Sequence, residues 1–113
     1  MSRSHITTHV LDTGTGRPAA GVAAALHRLG PDGWEEIAGG TTDDDGRITS
    51  LGPEALEAGT FRIDFETGTY FAASETETFF PSVSLIFELT DPAQHYHVPL
   101  LISPFAYSTY RGS

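Results

Sequence analysis

Apolar and polar positions alternate with a period of two along most of this chain, and turn residues interrupt the alternation at short intervals. That is the pattern of an all-β sandwich or barrel. In residues 4–11, Ile6 and Val10 fall on one face with Thr8 between them, while His5, Thr7 and His9 fall on the other. The first strand therefore turns its imidazoles away from the core, and His5 is expected beside His9 on the outer side. A Gly-rich turn covers residues 13–18. Val22, Ala24 and Leu26 open a second strand that ends at Gly30-Pro31-Asp32-Gly33, and residues 34–37 form a short third. Phe61, Ile63 and Phe65 alternate with Arg62, Asp64 and Glu66 in the clearest half-buried strand; Val83, Leu85, Phe87 and Leu89 share one face of residues 82–89. Two more strands are predicted over 94–103 and 105–110, separated by Pro104. Tyr70 and Phe71 anchor a short helix predicted over 67–74, and a second brief helical segment is predicted over 53–58. Seven or eight strands result, in a single domain over residues 1–113 with no repeat or linker to divide it. The last strand is expected to run to Ser113. Termini fray unless tied down, so its aromatics and arginine are expected to pack into a site or a subunit interface.

Composition narrows the chemistry. The 113 residues carry 6 Lys+Arg against 15 Asp+Glu, a formal net charge of −9. Every basic residue is Arg (Arg3, Arg17, Arg28, Arg47, Arg62, Arg111), and Cys is absent. Lysine Schiff bases, a P-loop lysine, thiolate nucleophiles, Cys-ligated metals and disulfides are thereby excluded. The acidic balance argues against nucleic acid as a partner, which would require a basic face. A 39% hydrophobic content with 12 Gly fits a globular domain. At this size the core is small, so association is an expected source of further stability. No apolar run reaches the ~18 residues of a membrane span, and residues 1–11 lack the apolar stretch of about 7–15 residues of a secretory signal. A cytoplasmic location without membrane contact is expected.

What remains for catalysis is His, Arg, Asp, Glu, Ser, Thr and Tyr. Residues two apart on a strand share a face, so His95 and His97 project together while Tyr96 and Val98 point the opposite way. A His-x-His pair admits three readings: an exposed face that carries imidazoles without chemical purpose, two ligands of a metal site with His9 as a third, or an acid/base pair. Arg47 follows Asp43-Asp44-Asp45-Gly46, where it is either a surface cation paired with one of those acids or a substrate-binding group. The acidic run lacks the alternating ligands and distal glutamate of a calcium loop, and there is no G-x-S-x-G elbow for a serine hydrolase.

Five segments together carry a resemblance: His5 to Asp12 (HITTHVLD), Gly16 to Val22 (GRPAAGV), Thr42 to Arg47 (TDDDGR), His95 to Leu101 (HYHVPLL) and Ser103 to Ser113 (SPFAYSTYRGS). In this order they resemble the 5-hydroxyisourate hydrolases, the enzyme branch of the transthyretin-related family, over nearly the whole chain. The closing Tyr110-Arg111-Gly112-Ser113 is the most specific part, separating the hydrolases from the hormone carriers. Ala106 departs from the Gly common at that position. The resemblance implies a two-sheet, transthyretin-like β-sandwich of about eight strands with one short helix. It also implies a homotetramer whose sites lie in a channel at the dimer–dimer interface. The implied reaction opens the six-membered ring of 5-hydroxyisourate by hydrolysis of its N1–C6 amide, giving 2-oxo-4-hydroxy-4-carboxy-5-ureidoimidazoline, after urate oxidation in purine breakdown. His9, Arg47 and His97 match the family's catalytic positions and Tyr110, Arg111, Gly112 and Ser113 its substrate-binding tail, with no metal or other cofactor.

Those residue types suit the chemistry. An imidazole with an ordinary pKa of ~6.5 can take a proton from water near neutrality, and a fixed guanidinium stabilises the oxyanion that develops on the attacked carbonyl. His9 and His97 are expected to share the acid/base work, Arg47 to polarise the carbonyl, and Tyr110 with Ser113 to orient the ring. Arg47 and Arg111 would supply local positive potential despite the net charge. His27 and His95 are read as structural or surface residues. Two other readings remain: a transthyretin-like carrier using the same channel, and a fibronectin-like structural sandwich.

Overall fold

The computed structural model describes residues 3–113; residues 1 and 2, the start of the segment read for a targeting signal, lie outside the described residues. Nine strands and one helix follow in the order β1 (Ile6–Asp12), β2 (Arg17–Pro18), β3 (Ala23–Gly30), β4 (Gly33–Thr41), β5 (Arg47–Ile48), β6 (Gly59–Phe65), α1 (Thr67–Ala73), β7 (Val83–Leu89), β8 (Tyr96–Ser103) and β9 (Ala106–Thr109). They form two sheets. In the first, β1 carries β2 and β5 on one side and β8 on the other, with β9 beyond β8; in the second the order is β4-β3-β6-β7.

The period-two faces meet between the sheets. Ile6 and Val10 of β1 and Leu100 and Ile102 of β8 oppose Leu26 of β3 and Phe61, Ile63 and Phe65 of β6, all fully buried. Each such side chain contributes about 1.5–3 kcal/mol relative to exposure. Helix α1 closes one end. Phe71 is buried there, and the Tyr70 hydroxyl donates to Oδ2 of Asp12 at 2.8 Å. Burial and that carboxylate push the phenol up to about 12.

Three expectations are corrected. Residues 53–58 form no helix, because their backbone groups are spent on β1's entry: the Pro53 carbonyl accepts from His5 N–H at 2.9 Å, and Leu56 N–H donates to Nδ1 of His5 at 2.8 Å. The third strand is longer than its apolar content indicates, since β4 pairs with β3 through nearly all its length while staying largely exposed. The last strand stops at Thr109, and the chain rejoins the sheet as a single bridge between Gly112 and His97. Among the described residues no helix is long and apolar enough to cross a membrane.

What positions chemistry is the pairing of β1. It runs parallel to β8 with Thr7 opposite His97 and His9 opposite Pro99, and antiparallel to β5 with His9 opposite Arg47. Directly opposed residues share a face, so this register gathers Thr7, His9, Arg47 and His97 on the outer side of the first sheet. A slip of one residue would send a strand's whole outward set into the core.

Candidate active site

Arg47 is placed by the turn before it. Asp43 is the organiser: its Oδ1 accepts from the N–H groups of Asp45 (2.9 Å) and Arg47 (3.0 Å), and its own N–H donates to the Arg47 carbonyl at 3.0 Å. Gly46 sits at φ +75°, and a Cβ there would lie 2.4 Å from the Val10 carbonyl oxygen, so only glycine lets the turn dock on β1. The acidic run therefore shapes the backbone. Among the described residues no carboxylate lies within ion-pair distance of Arg47.

The imidazoles separate into two kinds. His5, expected on the outer side, is buried; Nδ1 accepts from Leu56 N–H, and Nε2 donates to the Gln94 carbonyl at 2.6 Å. It pins the N-terminal segment and does not line the site, because the chain bends before β1 begins and the strand alternation does not reach back to it. His9 and His97 remain half-buried on the outer face. His95, in the approach to β8, turns the same way as His97: Nε2 of His95 and Nδ1 of His97 lie 2.9 and 2.8 Å from the one hydroxyl of Thr7. These two nitrogens meet an oxygen, so they do not converge on an open point where a cation would sit.

The C-terminal segment is laid over His97. Gly112 N–H donates to the His97 carbonyl at 2.9 Å. A Cβ on Gly112 would come within 2.7 Å of the His97 ring and 3.2 Å of Pro99, so the backbone packs directly on the imidazole. Thr109 Oγ1 donates to the Pro99 carbonyl at 2.6 Å. The Arg111 guanidinium stacks 4.5 Å over the Tyr96 ring and donates to Gln94 Oε1 at 3.0 Å.

Two hollows meet at His97. A shallow depression of about 110 Å³ is lined by Arg3, Thr7, Arg47, Thr49, His97 and Ser113 among others. A larger groove of about 360 Å³ opens between β7 and the tail, lined by Ile86, Tyr96, His97, Tyr110 and Arg111 among others. Of the residues read from sequence, the depression brings together Arg47, His97 and Ser113, with His9 alongside Arg47; Tyr110 and Arg111 lie toward the groove. Thr7, Arg3 and Thr49 were not singled out. The strand alternation placed Thr7 on the imidazole face, but a lone Thr carries no chemical flag.

The electrostatics favour a neutral base. Burial, then the charge of Arg47, then His9, His95 and Arg3 hold His97 below the ordinary imidazole range. Burial, followed by Arg3 and His5, does the same for His95. Near neutrality His97 thus keeps a lone pair for a proton, beside guanidiniums suited to stabilise an anion.

The chain as a whole is similar to known proteins. The model of the HIUase/Transthyretin family matches residues 6–112. The chain is 46% identical over 109 residues to a 5-hydroxyisourate hydrolase of Salmonella typhimurium, covering 96% of this chain and 80% of that one. The solved 5-hydroxyisourate hydrolase of Klebsiella pneumoniae superposes with a TM-score of 0.85 at 39% identity, covering 96% and 98% of the two chains. Transthyretin from Sparus aurata superposes with a TM-score of 0.91 at 33% identity, covering 97% of each.

Proposed function

Because the chain belongs to the HIUase/Transthyretin family, we propose that it is a 5-hydroxyisourate hydrolase acting in urate degradation. The backbone does not choose between enzyme and carrier, since a transthyretin superposes as well as a hydrolase does; a shared fold does not decide function. The observation that carries the reading is the meeting, in one depression, of a depressed imidazole, His97, with Arg47, which has no carboxylate in ion-pair range among the described residues.

In the mechanism, His97 takes a proton from water as the oxygen attacks C6 of the substrate. Arg47 stabilises the oxyanion, and His9 shares the proton transfers that let N1 leave. The product is 2-oxo-4-hydroxy-4-carboxy-5-ureidoimidazoline. Tyr110, Arg111, Gly112 and Ser113 bind and orient the ring. No metal is used, so turnover should survive exhaustive chelation.

One domain, residues 1–113, supplies the fold, and a homotetramer completes the site at its dimer–dimer interface. The depression supports that assembly: about 110 Å³ is below the roughly 300 Å³ where small-molecule sites begin, so a second copy facing this sheet would enclose the substrate. The test is direct. Freshly made urate oxidase product is mixed with the protein and the loss of ultraviolet absorbance followed; acceleration over spontaneous decay is expected, and an unchanged rate with tight binding of a hydrophobic ligand would favour the carrier.

A further inference from the structure

The Thr7 hydroxyl holds more information than its two contacts indicate. It is buried and lies 2.9 Å from Nε2 of His95 and 2.8 Å from Nδ1 of His97. A hydroxyl owns one hydrogen. The two ring nitrogens therefore cannot both accept from Thr7, and whichever receives its hydrogen obliges the other to donate to the Thr7 oxygen or go without a partner. The tautomers of the two histidines are coupled through one oxygen.

The depression decides the direction of that coupling. His97 lines it together with Arg3 and Arg47. With Nδ1 on Thr7, Nε2 is the ring's other nitrogen and has no hydrogen-bond partner among the described residues; the charges of Arg47 and Arg3 act on this ring, so an N–H at Nε2 would add positive charge to a cationic neighbourhood, whereas a lone pair is attracted to it. We propose that Thr7 and His95 are positioning residues for His97: Nδ1–H of His97 donates to Thr7, Thr7 donates to Nε2 of His95, and Nε2 of His97 is left as the bare, basic nitrogen at the site.

The same chain can carry a proton onward. As Nε2 of His97 takes a proton from water and the water oxygen bonds to the carbonyl carbon, Nδ1–H moves to the Thr7 oxygen and the Thr7 hydrogen moves to Nε2 of His95. Positive charge then rests on His95, where Arg3 and His5 face it, and not on His97 beside Arg47 and His9. Reversal returns the proton for the leaving nitrogen, so no co-reactant is needed.

The kinetic consequence rests on the hydrolase reading; the tautomer does not, and the experiment separates the two. In ¹⁵N-labelled protein without substrate, His97 is expected to show protonated Nδ1 with bare Nε2, and His95 bare Nε2. Thr7→Val should shift His97 toward the Nε2–H form and lower kcat about tenfold or more with KM little changed, since a base held in the wrong tautomer loses up to about 10⁴ in rate. Thr7→Ser, which keeps the hydroxyl, should restore both. His97 protonated at Nε2 in the wild-type spectrum would overturn the proposal, as would a folded Thr7→Val protein with unchanged tautomer and kcat. If Thr7→Val does not fold, the wild-type and Thr7→Ser spectra still decide. Protein with the expected tautomers that leaves 5-hydroxyisourate untouched would support the coupling and sink only the hydrolase reading.

Discussion

The two sheets present similar side chains on their outer faces and put them to different use. On the second sheet, His27 lies 3.6 Å from Asp64 and 3.8 Å from Glu36. Arg62 forms a two-pronged pair with Asp64 at 2.9 and 3.1 Å while stacking 4.7 Å over Trp34. Burial pushes Asp64 up, but the hydrogen bonds from Ser84 and Arg62 and the charges of Arg62 and His27 outweigh it and hold the carboxyl below its ordinary range. Each basic side chain there, His27, Arg28 and Arg62, stands within ion-pair distance of a carboxylate. On the outer side of the first sheet, His9, His97 and Arg47, with Arg3 from the segment before β1, stand without a carboxylate in ion-pair range among the described residues. The difference lies in what is missing: among the described residues the guanidiniums of the first sheet's outer side have no carboxylate in ion-pair range, which is what the proposed oxyanion role of Arg47 needs, whereas the basic groups of the second sheet lie against carboxylates.

The sharpest way to break this contrast is a matched pair of substitutions. His97→Ala or Arg47→Ala should lower turnover of 5-hydroxyisourate by about 10² or more with an unchanged circular dichroism spectrum, while His27→Ala on the other sheet leaves turnover intact. Equal losses from both faces would end the distinction. Gly112→Ala comes next. Its Cβ would press on the His97 ring, and because misplacement of a reacting group by about 1 Å can cost up to 10²-fold, turnover should fall about tenfold while the state of assembly in solution is unaltered.

Charge compensation can be read by titration. Arg47→Gln removes a cation that disfavours imidazolium, so His97 should titrate at higher pH, though burial keeps it below the ordinary range; a shift downward in the NMR titration would contradict the electrostatic picture. In the wild type, activity should fall only as pH drops through that lowered value and be full at neutrality. The smallest effect is expected on the second sheet. Arg62→Ala should raise Asp64 toward its ordinary value and cost less than about 1 kcal/mol in denaturant unfolding at neutral pH, as half-exposed pairs do. Since a depressed carboxylate stabilises the fold above its unfolded pKa and loses that contribution as pH falls, the variant should differ from wild type least in acid.

Legibility from sequence followed how local each signal is. The alternation of Phe61, Ile63 and Phe65 located β6 because burial on one face is a property of the strand alone, and the same holds for β7 and α1. The outward turn of His9 and the shared side of His95 and His97 were legible for that reason. β4 was not readable at full length, as its stability comes from pairing with β3. The segment 53–58 has helical composition but gives its hydrogen bonds to His5, a partner some fifty residues away.

By itself the chain determined a β-sandwich, its excluded chemistries, its family resemblance and the identity of His9, Arg47 and His97 as the groups to watch. Periodicity and composition are local and survive without a fold. Only tertiary structure decided that Thr7 binds both histidines, that Asp43 serves the turn and leaves Arg47 without a carboxylate partner among the described residues, that His5 is sealed away, and that Gly112 must be glycine because the tail lies against an imidazole. Each of these depends on register between strands distant in sequence, and register is set by the packing of the whole core.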